Sequence, residues 1–344
     1  MRLGRYLARR LLLSVLTLLG VIVVVFFASR ILPGDPAAAR AGQYATEETI
    51  AQIREQYGLD RPLPEQFSQY VTGVFRGDLG VSSRTDQPVL EELLARLPAS
   101  LELALYSLLV AIVVAIPLGV ISAVKRGSWL DTTARLWAIF GSSMALFWLG
   151  LLLIYFLYFR LGWFPGPVGR LPIGAAKPLT ITGLFTVDAL VAGDVELAAS
   201  AAQHLVLPML TLAVVVTAPI LKMVRSAMIR TLRSDYVRTA RAVGVSETRV
   251  VLVDGLRNAM LPILTTVGIV FGYLMGGNVI VEHIFAWPGI GRYAYQAVQT
   301  NDLEALQGFV ILVGILYIAL NVAIDLLYGW INPQVRLGAR PGEA

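Results

Sequence analysis

ASLELALYSLLVAIVVAIPLGVISAV, residues 99–124, is an apolar run in which Glu102 is the only charged residue. A helix of about 20 residues crosses a hydrocarbon core of about 30 Å, so this run is long enough to span a membrane. Similar runs recur, and the predicted spans are about 9–31, 99–124, 130–159, 203–222, 259–281 and 309–330. The sequence therefore predicts an all-α, polytopic membrane protein with about six transmembrane helices.

The composition supports the membrane class and argues against several other classes. Hydrophobic residues make up 56% of the chain and charged residues only 15%, whereas soluble domains carry about 25% charged residues. Transmembrane β-strands would instead alternate apolar and polar residues. The chain has no cysteine, and His204 and His283 lie far apart in sequence, so we predict neither a disulfide nor a bound metal.

The first span follows the basic segment MRLGRYLARR, and this pattern is common to cleavable signal peptides and retained anchors. The apolar stretch from Leu11 to Phe27 is longer than a typical signal core. The residues ILPGDP that follow at 31–36 offer no clean small-residue cleavage site. We expect a retained anchor.

The loops fall into two charge classes that alternate along the chain. Arginines cluster before the first span, between the fourth and fifth spans and in the tail, whereas the segments at about 33–98 and 160–202, on the opposite side, together carry most of the acids. Lysine and arginine are enriched in cytoplasmic loops, so we expect both termini in the cytoplasm. This orientation explains the net charge of +5, and nucleic-acid binding is therefore not predicted.

The predicted organisation has three parts. Residues 1–31 form the cytoplasmic N-terminus and first span, residues 32–98 form an extracytoplasmic helical region, and residues 99–344 form the remaining five-helix domain. A cytoplasmic loop at about 223–258 lies within this domain.

The loop at 223–258 contains SDYVRTARAVG, residues 234–244, which predicts a short helix. Ser234 or Asp235 can cap its start, and Gly244 can end it in the left-handed conformation. Its small residues would let another protein approach closely, while its arginines could pair with acids on that protein. The alternative is a solvated basic loop attracted to anionic lipid headgroups.

Two further patterns concern the spans. Gly268, Gly272 and Gly276 line one face of the fifth span, which is typical of close helix packing in lipid. Polar residues within spans are costly and usually face a cavity or another helix. The candidates for a solute path are Asn278, Glu282, Tyr317, Asn321 and Asp325. Interhelical hydrogen bonding, or an interfacial position for Asp325, explains the same residues equally well.

Sequence motifs for catalysis and nucleotide binding are missing. The chain has no Gly-x-x-x-x-Gly-Lys-Ser/Thr phosphate loop, no Gly-x-Ser-x-Gly elbow and no His-Glu-x-x-His helix. We therefore predict that the chain is not an enzyme. If transport is active, ATP hydrolysis must occur on another chain.

The chain resembles the permease subunits of binding-protein-dependent ABC importers, in the dipeptide and oligopeptide branch. The strongest match is DYVRTARAVG at 235–244 followed by LRNAMLP at 256–262. Weaker matches occur in the family's order at 32–36 (LPGDP), 57–62 (YGLDRP), 77–80 (GDLG), 96–103 (RLPASLEL), 287–291 (WPGIG) and 332–333 (NP). Arg238, Thr239 and Ala240 stand where the wider family has Glu-Ala-Ala, and the missing glutamate leaves the polar contacts to the ATPase undefined.

The resemblance implies a type I ABC importer permease fold in a bacterial or archaeal cytoplasmic (inner) membrane. It also implies several partners: a second homologous permease, two ATP-binding subunits or domains, an extracytoplasmic solute-binding protein, a peptide substrate and membrane lipid. ATP and Mg would bind the partner ATPases, and no cofactor is expected on this chain. The resemblance assigns ATPase coupling to Asp235, Tyr236, Arg238, Thr239, Ala240, Arg241, Ala242 and Gly244.

The predicted function is thus the translocation path of an ATP-driven peptide importer. The same machinery in this branch also imports nickel complexes, oligosaccharides or glutathione. A different class of protein, a proton-coupled secondary carrier, would rely on membrane carboxylates such as Glu282 and Asp325. Uptake driven by a proton gradient in the isolated chain would distinguish that class.

Overall fold

The computed structural model describes residues 2–31, 37, 45–56, 58 and 60–331. Within them, side chains are described at 12–28, 37, 45–52, 54, 55, 58, 60–276, 278–324 and 326. Regular secondary structure in this part of the chain is helical, apart from one isolated bridge between Val81 and Pro88.

The helices of the described residues follow one another with short connections. In chain order they are α1 (Arg2–Ile31), α2 (Glu47–Gln56), α3 (Leu63–Arg76), α4 (Val89–Val124), α5 (Trp129–Ser143), α6 (Leu146–Leu153), α7 (Phe185–Val191), α8 (Val195–Leu232), α9 (Asp235–Ala242), α10 (Glu247–Arg249), α11 (Leu256–Gly277), α12 (Val279–Ile284), α13 (Ile290–Gln299) and α14 (Leu303–Ile331). Two π-helical segments, Ile154–Arg160 and Val250–Gly255, continue α6 and α10. The predicted all-α fold is confirmed.

Every predicted span falls on helix, and the third differs from the others. Four helical stretches in the described residues are long and apolar enough to cross a membrane: Val89–Val124, Val195–Leu232, Glu247–Gly276 and Leu303–Ile324. The first predicted span contributes a shorter apolar stretch, Leu12–Ala28. The third, predicted as one continuous helix over 130–159, is instead a pair, α5 and α6, bent by 105°.

The chain divides into two compact units. The described residues within 1–98 and 288–322 form the first unit, and those within 99–287 and 323–331 form the second. Helices α4 and α14 each begin in the first unit and end in the second.

Within the first unit, an aromatic contact and a buried carboxylate join separate helices and loops. Phe26 of α1 packs edge-on against Phe67 of α3, with 5.2 Å between ring centroids. Asp302 caps α14 by accepting a hydrogen bond from the backbone N–H of Ala305, and it accepts a second from the Ser82 hydroxyl. Asp302 thereby ties the loop before α4 to the start of α14.

Helix α8 forms the core of the second unit. In its most apolar stretch 67% of the residues are buried, against 39% in α4. With 38 residues it measures about 57 Å, longer than the hydrocarbon core, so it extends beyond the membrane. The Asp194 side chain caps its start by accepting a hydrogen bond from the N–H of Leu197.

Close approaches to α8 occur where the neighbouring helices carry glycine. A Cβ added at Gly119 of α4 would lie 2.6 Å from the Val224 side chain, and one at Gly141 of α5 would lie 2.9 Å from the Val214 carbonyl oxygen. Only residues without a side chain fit at these positions, because protein interiors are packed without room for an extra methyl group.

Candidate coupling site and buried polar clusters

The predicted cytoplasmic helix exists as α9, connected to the end of α8 by Arg233 and Ser234. Ser234 occupies the N-cap position, as predicted, but its hydroxyl makes no capping hydrogen bond. It donates instead to the carbonyl of Thr231, at 2.6 Å. Asp235 is the first residue of the helix, where its negative charge interacts favourably with the helix dipole.

The C-terminus of α9 is closed by a complete Schellman motif. Gly244 adopts a left-handed φ of +81°. Its N–H donates to the carbonyl of Arg241, and the N–H of Val245 donates to that of Ala240. Glycine is the residue that takes this conformation without strain, so the short helix has a sharply defined end.

One face of α9 is anchored on its own chain. Val237 is fully buried, and α9 packs on the end of α8 and on the π-helical segment Val250–Gly255. At Gly255 this segment lies so close to α8 that an added Cβ would approach Met228 and Leu232 to 3.1 and 3.2 Å. A displacement of α9 would therefore be transmitted to α8 and, through the π-helical segment, to α11.

The charged residues of α9 divide into paired and outward-facing groups. Arg241 makes a two-pronged ion pair with Glu247, with 3.0 Å between Nε and Oε2. This hydrogen bonding raises the pKa of the Arg241 guanidinium, which therefore stays charged and braces α9 against α10. Arg238 is 77% exposed, and its Nη1 lies 3.6 Å from the carboxylate of Asp235, which is 98% exposed. The outward surface consists of Tyr236, Arg238 and Val243 together with Thr239 and Ala242.

The predicted packing glycines lie at four-residue intervals on α11, on one face of the helix. A Cβ added at Gly268 would collide with the Ile324 side chain of α14. Gly268 thus packs against another helix of this chain, in the second unit.

The predicted path residues occupy two environments. Asn278 and Glu282 are 2% and 0% exposed, one helical turn apart, and Glu282 accepts a 2.6 Å hydrogen bond from the Ser100 hydroxyl. Neither amide atom of Asn278 has a hydrogen-bond partner in the described part of the chain. On α14, Tyr317 is 44% exposed, and the Asn321 amide donates to the Tyr317 carbonyl. The side chain of Asp325 lies outside the described residues, as do the motifs at 32–36 and 332–333.

A buried ion pair that the sequence did not indicate lies near the start of the second predicted span. Arg170 donates to the Glu102 carboxylate, with 3.0 Å between Nε and Oε2, and both side chains are at most 7% exposed. Glu102 also accepts bonds from the N–H and hydroxyl of Thr186, and Arg170 also donates to the carbonyl of Gly183. The Arg170 guanidinium lies 3.4 Å from the centroid of the Phe185 ring.

The loop that supplies Thr186 is closed by a second buried carboxylate, Asp188. Asp188 accepts hydrogen bonds from the N–H groups of Ile181, Thr182 and Gly183 and from the Thr182 hydroxyl. Burial opposes its ionisation, but these hydrogen bonds outweigh that cost and lower the pKa of the Asp188 carboxyl.

The same N-terminal segment of the second predicted span makes two further contacts. The Trp287 indole N–H donates to the carbonyl of Ala99 at 2.8 Å, and Ser100 donates to Glu282. These contacts join one group of residues, the outer cluster, named for the predicted outside position of the loop that carries Arg170: Ser100, Glu102, Arg170, Asp188 and Glu282, together with Thr186 and Trp287.

A second ion pair joins α5 to α8. Arg225 donates through Nε and Nη2 to the two carboxylate oxygens of Asp131, at 2.7 and 2.9 Å. Asp131 is almost fully buried, and it also accepts from the Ser122 hydroxyl and the N–H of Gly127. This arrangement ties the turn between α4 and α5 to the part of α8 that leads into α9.

These ion pairs could have been anticipated in part. Glu102 interrupts an otherwise apolar run, and a charge within a span normally has a partner. Its partner Arg170 lies 68 residues away in a loop, and no periodicity or spacing links the two positions.

The described residues form a bundle of long apolar helices that presents one short helix, α9, between two candidate spans. The chain belongs to the family described as binding-protein-dependent transport system inner membrane component, whose model matches residues 115–337. The model for the N-terminal part of such membrane components matches residues 3–104. The chain is therefore a multi-pass permease subunit of the bacterial inner membrane, and the predicted family is confirmed.

Proteins named as transport permeases are similar to nearly the whole length of this chain. The chain is 45% identical over 324 residues to "Probable D,D-dipeptide transport system permease protein DdpB" of Escherichia coli (strain K12), covering 94% of this chain and 95% of that protein. It is 40% identical over 338 residues to the dipeptide transport system permease protein DppB of the same strain, covering 96% and 98%. It is 39% identical over 331 residues to the glutathione transport system permease protein GsiC of Salmonella choleraesuis (strain SC-B67), covering 96% and 98%.

Proposed function

We propose that the chain forms half of the translocation path of an ATP-driven peptide importer. A second homologous permease supplies the other half, an extracytoplasmic binding protein delivers the peptide, and two ATP-binding subunits or domains hold ATP and Mg. Both termini and α9 face the cytoplasm, and residues 32–98 form an extracytoplasmic region before the five-helix domain at 99–344.

The observation that carries this proposal is the near full-length similarity to permeases named for dipeptide transport, 45% and 40% identical. A solute path fits the bundle as well. The buried amide of Asn278, one turn from Glu282, is a polar group that another conformation or subunit can engage. An unpaired buried amide costs about 1–3 kcal/mol, so such engagement would be favourable.

Coupling to the ATPase is assigned to α9. The helix is short, closed by Gly244 and fixed to its own chain through Val237, so an external push displaces it as a rigid body. The exposed Tyr236, Arg238 and Val243 provide a contact surface of mixed character. ATP binding changes the state of the bundle only if one state binds ATP more tightly, and α9 is the element that would carry this preference.

The coupling assignment is tested by Ala240→Trp and Gly244→Pro in the assembled complex. Tryptophan at the half-buried Ala240 adds bulk beside the contact surface, and proline cannot take the +81° φ of Gly244. We expect ATP-driven peptide uptake to fall at least about tenfold at normal membrane levels, while ATP hydrolysis continues. Gly174→Pro is the matched control, since Gly174 has a φ of +86° with open space around it and lies in the predicted outside loop. Normal uptake by both α9 variants would refute the assignment.

The substrate is tested separately by purifying the complex with its binding protein and identifying the bound solute by mass spectrometry. A dipeptide is the expected result. Glutathione is the second candidate, because one similar permease is named for its transport. Proton-driven uptake by the isolated chain in vesicles would instead identify a secondary carrier.

A further inference from the structure

A cavity of about 300 Å³ lies between α5 and α8, beside the Asp131–Arg225 ion pair. Its apolar wall is formed by Ala138, Ile139 and Leu221. This volume is at the lower limit for small-molecule sites, which combine apolar walls with a few polar groups that fix orientation.

Three cations line the same cavity: Arg135, Lys222 and Arg225. The negative charge of Asp131 compensates the positive charge of Arg225, to which it is hydrogen-bonded. About two positive charges, those of Arg135 and Lys222, therefore remain for a ligand. Arg135 is 53% exposed, and its Nε is 3.8 Å from the Asp131 carboxylate. The Lys222 ammonium has three donors and uses one on the Ser142 hydroxyl, at 2.9 Å.

The register of α5 against α8 sets the depth of this cavity in the membrane. Asp131 pairs with Arg225 outside the predicted fourth span, whereas Gly141 lies against Val214 near the middle of that span. We therefore expect the cavity to begin at headgroup level, near Lys222 and Arg225 at the end of the predicted fourth span, and to continue to acyl-chain level. Ile139 lies one turn further along α5 than Arg135 and flanks the deeper part, whereas Leu221 adjoins Lys222 on α8.

The neighbouring surface of α5 has the character of a helix in contact with lipid. Trp129 is 73% exposed, and Trp137, Ile139 and Phe140 are also exposed. Tryptophan is enriched at membrane interfaces, where its ring occupies the headgroup level. A lipid could thus enter the cavity directly from the bilayer.

We propose that this cavity binds an anionic phospholipid of the cytoplasmic leaflet, with its phosphate between Arg135 and Lys222 and an acyl chain along Ile139 and Leu221. Basic pockets between transmembrane helices on the cytoplasmic side bind anionic headgroups in this way. Because the site adjoins the ion pair that ties α5 to α8, the bound lipid would support the connection leading into α9.

The test is native mass spectrometry of the detergent-purified complex, titrated with dioleoyl phosphatidylglycerol or dioleoyl phosphatidylcholine. We expect preferential retention of phosphatidylglycerol, reduced on the order of tenfold by the double substitution Arg135→Gln, Lys222→Gln. Ile139→Trp, which fills the mouth without changing charge, should also lower retention. The matched control is Lys125→Gln, Arg126→Gln, which removes two exposed cations that do not line the cavity.

A phosphatidylglycerol with a photoactivatable group on its acyl chain should label the peptide containing residues 134–139, and Ile139→Trp should reduce this labelling. Three outcomes would overturn the proposal. They are equal retention of the two lipids, equal retention by the double variant and its control, and displacement of phosphatidylglycerol by inorganic phosphate without acyl-chain labelling, which would indicate a soluble phosphate site. The readout is lipid retention, so its result is independent of the peptide-import proposal.

Discussion

The outer cluster and α9 use charged residues in opposite ways. In the outer cluster Glu102 and Arg170 are buried, and each makes further hydrogen bonds to the loop at 181–188. On α9 the side chains of Asp235 and Arg238 are at least 77% exposed, and the two-pronged pair of Arg241 remains accessible to water. The comparison separates charges that hold the fold together from charges that are available to a partner.

The largest effect is expected from Arg170→Met, which leaves the buried Glu102 carboxylate unpaired. Removal of one member of a buried pair typically costs about 3–5 kcal/mol, because the remaining charge loses its compensation. We expect thermal unfolding of the detergent-purified chain at a much lower temperature and reduced levels in the membrane. The double substitution Arg170→Met, Glu102→Gln should recover most of the loss. If the single and double variants unfold alike, the pair is not what stabilises this region.

An intermediate effect on stability is expected at acidic pH, where the Asp188 carboxylate becomes protonated. Its folded-state pKa lies below its ordinary value, so its contribution to stability is complete above the unfolded pKa of about 3.9 and disappears as the pH falls through the folded value. Unfolding midpoints between pH 7 and pH 3 should therefore fall more steeply in the wild type than in Asp188→Asn. Parallel curves for the two proteins would contradict this explanation.

The smallest effect on stability is expected from Arg241→Gln. Exposed ion pairs contribute little, since water screens them and both long side chains lose freedom. The unfolding temperature should shift by less than about 2 °C, and the double substitution Arg241→Gln, Glu247→Gln should show almost no coupling between the two positions. A shift as large as that of Arg170→Met would remove the distinction between the two regions.

The helical class, the approximate spans and α9 were predictable because long apolar runs and the capping residues Ser234 and Gly244 act locally. The cap itself was only half predictable: Gly244 adopts the expected conformation, whereas the Ser234 hydroxyl bonds backwards to Thr231. A partner for Glu102 was predictable from its position in an apolar run, but neither the identity of that partner, Arg170, nor the Asp131–Arg225 pair was. The members of the two pairs are 68 and 94 residues apart, and only the packing of α4, α5 and α8 brings them together.

The 105° bend between α5 and α6 was also not predictable from the sequence, because Met144 and Ala145 are ordinary helix-forming residues.

The same bend restricts what can lie next to this part of the chain in the membrane. The first N–H groups of α6 have no carbonyl partner within the helix, and Ala145 at its N-cap has no side chain that can accept from them. Gly141, one turn before the bend, lies level with the middle of the predicted fourth span. Backbone N–H groups without a hydrogen bond are energetically costly at that depth, because the bilayer core holds no water. Ser143 and Ala145 are exposed on the single chain. In the bilayer, the bend between α5 and α6 therefore requires contact with another protein or with a water-filled cavity.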